Sequence, residues 1–459
     1  KINRVDDNRK HHHLSEISIN KQGKRYIYGI PAYNMKKKEV VFNVDENEAD
    51  CENGVVLYSD TENSTGNTKG LNNYFSSTTT PPYAYSYLLT SVVSDNYVDI
   101  GNDGPTPDDL GNYTRFNYSR VHKNYKWRTP YKDHRANYQE NKYSLDNDNM
   151  ANFVYGEKEI WYLHSIESRN YVAKFILTDR KDALGVKGED GGKDTDQKLK
   201  KLSRIELYTR ADLKENGSNA TPLKTAHFKY SYSLCQGLPN HVDDENNGKL
   251  TLEKIYFTFG DSEKGYFSPY KFTYQQGDKN PSYSLKANDR FGFYKENTCG
   301  TDKAPNSEFP YVDQDASKTN NYIQAWKLKK IQLPSGGTIS IEYESDDYAY
   351  VQDRKAMQMF MVEGFHDSDN PAQGDPDNKL YENPDSNNYK VNEYLIFNLS
   401  APVNSKSELS AYFPDEKHLY FKTKLDVLGK AKSARNNSDD YEYISGFAEY
   451  EDYGLVQNS

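Results

Sequence analysis

The stretch that most restricts the fold runs from Glu159 through Trp161, Tyr162 and Leu163 to Glu167, breaks at Ser168-Arg169-Asn170, and resumes from Tyr171 to Thr178. Two runs of aromatic and β-branched residues on either side of a short polar break predict an antiparallel hairpin. A second unit of the same kind spans Leu14 to Asn20 and Lys24 to Tyr28, alternating apolar and polar residues around Lys21-Gln22-Gly23. A mean hydropathy of -0.99 and an apolar share of only 35% would suit a disordered chain. Disordered segments are poor in aromatics, however, and here 14% of residues are aromatic, with 41 Tyr among them. Tyrosine is thus the core-building residue, and a chain rich in Tyr and Asn suits strands and turns better than helices. The expected fold is all-β: consecutive antiparallel hairpins with long polar loops.

Along the chain, residues 59–80 carry Ser, Thr, Asn and Gly without periodicity and end at Pro81-Pro82, which predicts an exposed loop. Tyr83 to Val93 reads as a strand or a short helix. Residues 105–150 are polar with a Tyr or Trp every few positions, as in extended chain pinned to a surface by aromatic anchors. Gly185, Gly188, Gly191 and Gly192 predict a flexible connection. The chain divides into a hairpin region with long loops over 1–155 and a hairpin array over 156–459. It starts at Lys1 without Met and reads as a piece of something longer.

Beyond residue 200 a weak repeat appears. Its openings are Leu202 to Leu207, Leu252 to Phe257 and Leu328 to Leu333, each with a basic residue followed by Ile; its closings are Phe228-Lys-Tyr230, Phe272-Thr-Tyr274 and Ile341-Glu-Tyr343. The spacing from opening to closing shrinks from copy to copy, which hairpins tolerate because loop-closure entropy grows slowly with length. In the shortest copy the turn is Pro334-Ser335-Gly336-Gly337, where Gly supplies the positive φ of a tight reversal. Units that each bury a face on the next build a β-array or a shell.

The run from Leu328 through Pro334-Ser-Gly-Gly337 to Tyr348 resembles the Rhs/YD-repeat-like hairpins of very large secreted bacterial proteins, in which a Pro-x-Gly-Gly turn leads into a Tyr-rich strand. Gly156 to Glu167, Arg25 to Asn34 and Asn288 to Tyr294 resemble segments of giant cell-surface proteins of the Bacteroidota, a family without an assigned activity. The resemblance implies export across the outer membrane by the type nine secretion route, an extracellular or cell-surface location, and a β-shell or scaffold role. Its implied partners are other segments of the same giant chain or an outer-membrane export or surface complex. The strict Tyr-Asp-x-x-Gly repeat of true Rhs proteins is absent, so a closed toxin-enclosing cocoon does not follow, and no catalytic residue carries over.

Net charge is -10, and no basic block offers the phosphate-neutralising stripe that nucleic acid needs. No apolar run reaches the roughly 18–20 residues of a membrane-spanning helix. Cys51, Cys235 and Cys299 lack zinc or disulfide-framework spacing. His11-His12-His13 would point to alternating sides of an extended chain, and His122, His134, His164, His227 and His241 show no metal-binding spacing. There is no Gly-x-Ser-x-Gly elbow, and the glycines at 185–193 fail the phosphate-loop pattern.

The most ligand-like segment is Asp99-Ile-Gly-Asn-Asp-Gly-Pro-Thr-Pro-Asp-Asp109. Asp99, Asn102, Asp103, Asp108 and Asp109 offer hard oxygens around Gly104, which reads either as a calcium site or as an ordinary solvated turn. Asp243 to Gly248 imitates an EF-hand loop but leads into a strand, so it reads as a turn; Asp367 to Asn378 reads as an acidic loop. Trp161 and Trp326 fall in expected strands and read as core. Trp127, beside Tyr125 in a polar run, is the expected exposed ring and glycan platform.

These features predict a non-enzymatic scaffold or shell segment, with an adhesin or glycan-binding module as the alternative. A toxin-delivery shell or a hydrolase stands third. If calcium orders the 99–109 loop, Asp103→Ala will abolish the chelator-sensitive part of the melting transition. A wild-type melt unchanged by chelator would remove calcium from the loop.

Overall fold

The computed structural model describes residues 13, 15–45, 49–50, 54–70, 73–138, 149–289, 292–296, 316–346 and shorter stretches between 350 and 456. Alternation and turn chemistry produce, in chain order, β1 (Glu16–Ile19), β2 (Arg25–Asn43), β3 (Ala49–Asp50), β4 (Val55–Leu57), β5 (Phe75–Thr80), β6 (Tyr83–Val93), β7 (Tyr113–Thr129) and β8 (Arg135–Tyr138). They continue with β9 (Met150–Ser168), β10 (Tyr171–Gly188), β11 (Gly191–Thr209), β12 (Lys224–Leu234), β13 (Lys249–Thr258), β14 (Tyr270–Tyr274), β15 (Leu328–Gln332) and β16 (Thr338–Ser340). All belong to one 16-stranded sheet whose pairings are antiparallel. The fold is β-dominated, and the described helices are short, as in Arg210–Asn216 and Ala316–Tyr322. Beyond β16 lie separate two-stranded ladders, the longest pairing His418–Asp426 with Tyr441–Glu449.

The sheet has two regimes. From β9 to β16 each strand pairs with the next, a meander of consecutive hairpins. In the first half, long strands change partners along their length. The first half of β2 pairs with β6, from Arg25↔Val93 to Asn34↔Tyr83, while its second half lies between β5 and β9. The switch falls where register slips between Ala32 and Tyr33 and again between Asn34 and Lys36. Strand β7 slips three times along β9, between Asn117 and Tyr125. Such bulges bend a strand and increase its twist; β9 carries β7 along one edge and β2 along the other.

Beside this switch lies the core cluster of Val40, Phe42, Val44, Val56, Tyr58, Ala136, Ala151, Phe153, Tyr155 and Val186. Its rings interlock: Phe42 meets Tyr58 edge-on at 5.2 Å, and Tyr58 stacks on Phe153 at 5.8 Å. Such aromatic pairs add about 0.5–1.5 kcal/mol each beyond their buried area.

Several expectations change. The glycines of 185–192 do not form a flexible connection; they lie at the end of the β10–β11 ladder, which runs from Tyr171↔Thr209 to Gly188↔Gly191 and places Val186 in the core. At Gly191 (φ 98°) a Cβ would sit 2.9 Å from the carbonyl oxygens of Tyr131 and Lys132, so glycine here allows two backbones to touch. Residues 59–80 are not one exposed loop. Thr-rich β5 pairs with β2, and Glu62 and Asn67 are buried because their side chains serve backbone groups: Glu62 accepts from the amides of Asp45 and Ser59, and Asn67 donates to the carbonyls of Asn43 and Tyr74. Tyr83–Val93 is a strand, and Tyr113–Thr129 is an internal strand rather than a surface segment. Trp326 sits in a turn with positive φ, its indole donating to the Pro281 carbonyl at 2.8 Å. β9 runs unbroken through residues 155 and 156, so the two regions of the sequence reading share a strand.

The hairpin read at 159–178 forms at its tip, pairing Val172 with Glu167 and Lys174 with Ser165, while at the same residues β7 pairs with the other edge of β9 and β11 with the other edge of β10. The repeat is a regular feature of the meander. Its openings fall on β11, β13 and β15, and each lies next to the strand carrying or leading into its closing. In two copies the closing tyrosine donates its hydroxyl to the carbonyl of the opening leucine, Tyr274 to Leu252 at 2.7 Å and Tyr343 to Leu328 at 2.8 Å. Gly336 takes the expected positive φ in the Pro334–Gly337 turn. Cys235 is buried and free, whereas Cys51 and Cys299 lie outside the described residues, as do His11, His12 and all but Asp367 of the 367–378 stretch.

Arg128 ties the two regimes together. The residue is 4% exposed, its guanidinium lies 4.3 Å from the Phe153 ring centre, and it donates to the carbonyls of Glu189 (2.6 Å), Arg135 (2.7 Å) and Pro130 and to the Tyr58 hydroxyl (2.9 Å). Arg128→Ala should cost about 3 kcal/mol or more, since it leaves several buried acceptors unpaired. Arg128→Lys should recover only part of this, because an ammonium cannot reproduce the planar fork. Denaturant midpoints of the two variants would check this, and an unchanged midpoint in Arg128→Ala would contradict it.

Candidate functional site

The 99–109 loop is closed at its base by a bridge between Val98 and Leu110. Inside it, Asp99 accepts from the amides of Asp103 (3.2 Å) and Gly104 (2.9 Å), and Asp108 accepts from the Thr106 hydroxyl at 2.6 Å. Asn102 and Gly104 turn the chain with φ of 56° and 84°. Asp109 is only 1% exposed. Its carboxylate accepts from the Tyr97 hydroxyl (2.6 Å) and from the amides of Ile100 (3.0 Å) and Thr106 (2.8 Å). The Tyr97 hydrogen bond, with those amides, holds its carboxyl below the usual range. Asp109 is therefore a structural acceptor that closes the loop, while Asn102, Asp103 and Asp108 are exposed residues.

The aromatic pair of the sequence reading is not an open platform. Tyr125 is 6% exposed, packs beneath β10 with its hydroxyl 3.4 Å from the Ala183 carbonyl, and burial pushes its phenol up to about 12. Trp127 is half-buried over its β9 partner Gly156, where a Cβ would fall 2.5 Å from the indole. They sit two residues apart in β7 and so share one face of the strand. Exposed rings occur instead after β13: Phe259 is 58%, Tyr266 56% and Phe267 83% exposed, with Tyr266 edge-on to Phe267 at 5.7 Å. The sequence reading missed these because nothing in a Lys-Gly-Tyr-Phe run separates a surface ring from a buried one.

The buried carboxylates are spent on structure. Glu159, 1% exposed, accepts from Arg120 (2.8 Å), the Tyr33 amide (3.0 Å) and the Trp161 indole (3.2 Å). Asp182 takes a two-pronged contact from Arg180 at 3.0 and 2.8 Å and the Leu250 amide at 2.8 Å. Burial alone would push Asp182 up, but Arg180 and the amide more than offset it and its carboxyl lies below the usual range. Glu189, at the tip of β10–β11, is likewise held down against burial by Lys36 and Lys38. A general acid needs the opposite shift, and among the described residues each carboxyl with a resolved shift moves downward.

Metal-competent side chains from different segments converge at one place among the described residues. Asp60, His134 and Asp190 each bring a ligand atom within 4.8 Å of the others. They come from the turn after Tyr58, the loop before β8 and the β10–β11 tip. Their wide separation along the chain explains why no motif announces them.

No family model, curated protein or solved structure matches this chain. Among the described residues no helix is long and apolar enough to cross a membrane.

The pH dependence of stability follows from the lowered carboxyls. A group whose folded pKa is depressed contributes stability above its ordinary pKa and loses it as pH falls through the folded value. Asp182→Asn should therefore destabilise by about 3 kcal/mol at pH 7, where it strands Arg180, and by much less near pH 3, where wild type has lost part of the same contribution. Denaturant midpoints at the two pH values test this, and an equal difference at both would contradict it.

Proposed function

We infer that the chain is a non-enzymatic scaffold segment of a very large secreted or cell-surface bacterial protein, exported by the type nine route. The observation that carries this reading is the open, consecutive hairpin sheet. Its terminal strands, β1 and β16, have no outer partner among the described residues, and they expose Ile17 (60%), Ile19 (64%) and Ile339 (47%). An uncovered apolar edge strand is a template for further pairing, which suits a chain whose neighbouring segments continue the sheet. The repeated tyrosine-to-leucine contact supports an architectural role, and the engaged buried carboxylates support a structural rather than catalytic use of acidic side chains. Its partners are then other segments of the same chain or an outer-membrane export or surface complex.

A second reading, an adhesin or glycan-binding module, draws support from Phe259, Tyr266 and Phe267, since flat exposed rings suit sugar faces. Native mass spectrometry and low-resolution imaging of the untagged protein from its source cells separate the two. Co-purification with an export or surface complex is the expected result. A lone compact monomer that binds on a glycan array, and loses binding in Phe267→Ala, would overturn the scaffold reading.

A further inference from the structure

Where the tip of β10–β11 meets the core, side chains from three distant segments surround one point. His134 Nε2 lies 3.5 Å from Asp60 Oδ1, and His134 Nδ1 lies 3.5 Å from Asp133 Oδ1. Asp190 completes a set whose ligand atoms all lie within 4.8 Å of one another. A separation of 3.5 Å is long for a hydrogen bond. It is close to the edge of a tetrahedron around a zinc ion, since ligands at about 2.0–2.1 Å on tetrahedral directions stand about 3.3–3.4 Å apart.

The geometry points to a divalent transition-metal site, of the zinc class, formed by His134, Asp60 and Asp190 with solvent in the fourth position. The second imidazole nitrogen faces Asp133 as it would in a carboxylate–histidine–metal arrangement, making Asp133 a positioning residue. The neighbouring cation does not fill the site. Arg128 directs its donors to the carbonyls of Glu189, Pro130, Lys132 and Arg135 and to the Tyr58 hydroxyl. Asp190 Oδ1 accepts from the Tyr58 hydroxyl at 3.0 Å, which orients that carboxylate. The Asp60 side chain is 87% and that of His134 39% exposed, so an ion has a path from solvent. Bound there, it would add a side-chain clasp where backbone bonds already bring the three segments together, from the Tyr58 amide to the His134 carbonyl at 3.1 Å and from the His134 amide to the Asp190 carbonyl at 2.8 Å. This inference does not depend on the scaffold reading.

The test uses the full chain, freed of metal by chelator and titrated with Zn2+ alone and Co2+ alone. One equivalent should bind, Co2+ should give the visible absorption of a four-coordinate site, and Zn2+ should raise Tm by several degrees. Asp60→Asn, Asp190→Asn and His134→Asn should each lose at least tenfold in affinity, and Asp133→Asn about 10–100-fold. Asp99→Asn should bind as wild type. Asn is chosen at position 134 because it tolerates the left-handed backbone found there (φ 47°). Failure of the wild type to bind either ion would overturn the site. So would unchanged affinity in the exposed Asp60→Asn variant, whose metal-free circular dichroism and melt serve as the folding control.

Discussion

Burying a guanidinium is costly unless nearly all of its donors find acceptors, and the region around Arg128 is organised by that requirement. Its acceptors come from the β10–β11 tip, the loop after β7, the start of β8 and the turn at Tyr58, and its flat face lies on Phe153. Desolvation lowers its pKa, with Tyr58 and nearby Asp190 and Asp133 opposing that. Because the charge must be satisfied from all sides, the hairpin tip has few places to go. The juxtaposition of Asp60, His134 and Asp190 follows from that docking.

The same logic explains how so polar a chain builds a core. Tyrosine supplies aromatic area, and each buried hydroxyl needs a partner, which Tyr58 finds in Asp190 and Tyr131 in the Gly185 carbonyl. Burial raises the pKa of both phenols. Carboxylates go inside where backbone amides or arginines meet them, as at Glu62, Asp109, Glu159 and Asp182. Charge thereby replaces some of the specificity that aliphatic packing supplies elsewhere, and the cost is a fold with acid-sensitive joints.

For function, the distribution of chemistry matters more than any single residue. Buried polar groups lie in both regimes, and in two copies of the repeat a tyrosine returns its hydroxyl to the strand that opens the copy. Such an arrangement suits a unit meant to be continued or covered along its edges, and it leaves the rings after β13 facing outward.

The hairpins around Gly23, Arg169 and Gly336 were legible from residues alone, as was the β class, because alternation and turn chemistry act within about ten residues. The pairing of β5 with β2, the burial of Tyr125 and the packing of Trp127, the closure of the acidic loop by Asp109 and the docking of Gly191 were not legible. All but the Asp109 closure are decided by contacts between residues far apart in the chain, which local pattern does not encode; Asp109 closes its loop locally, through Tyr97, Ile100 and Thr106, but acidic spacing alone does not say which carboxylate turns inward. Gly191 looks flexible in sequence and is packed in three dimensions for one reason: the missing side chain that frees a loop also lets another backbone come close. The amino-acid sequence by itself determined that this protein is built of strands and where many of them turn. Only the tertiary structure decided which strands meet, which rings are covered, and that His134 stands beside two aspartates from other segments, because partner choice rests on burial and on satisfying buried charge across the whole chain.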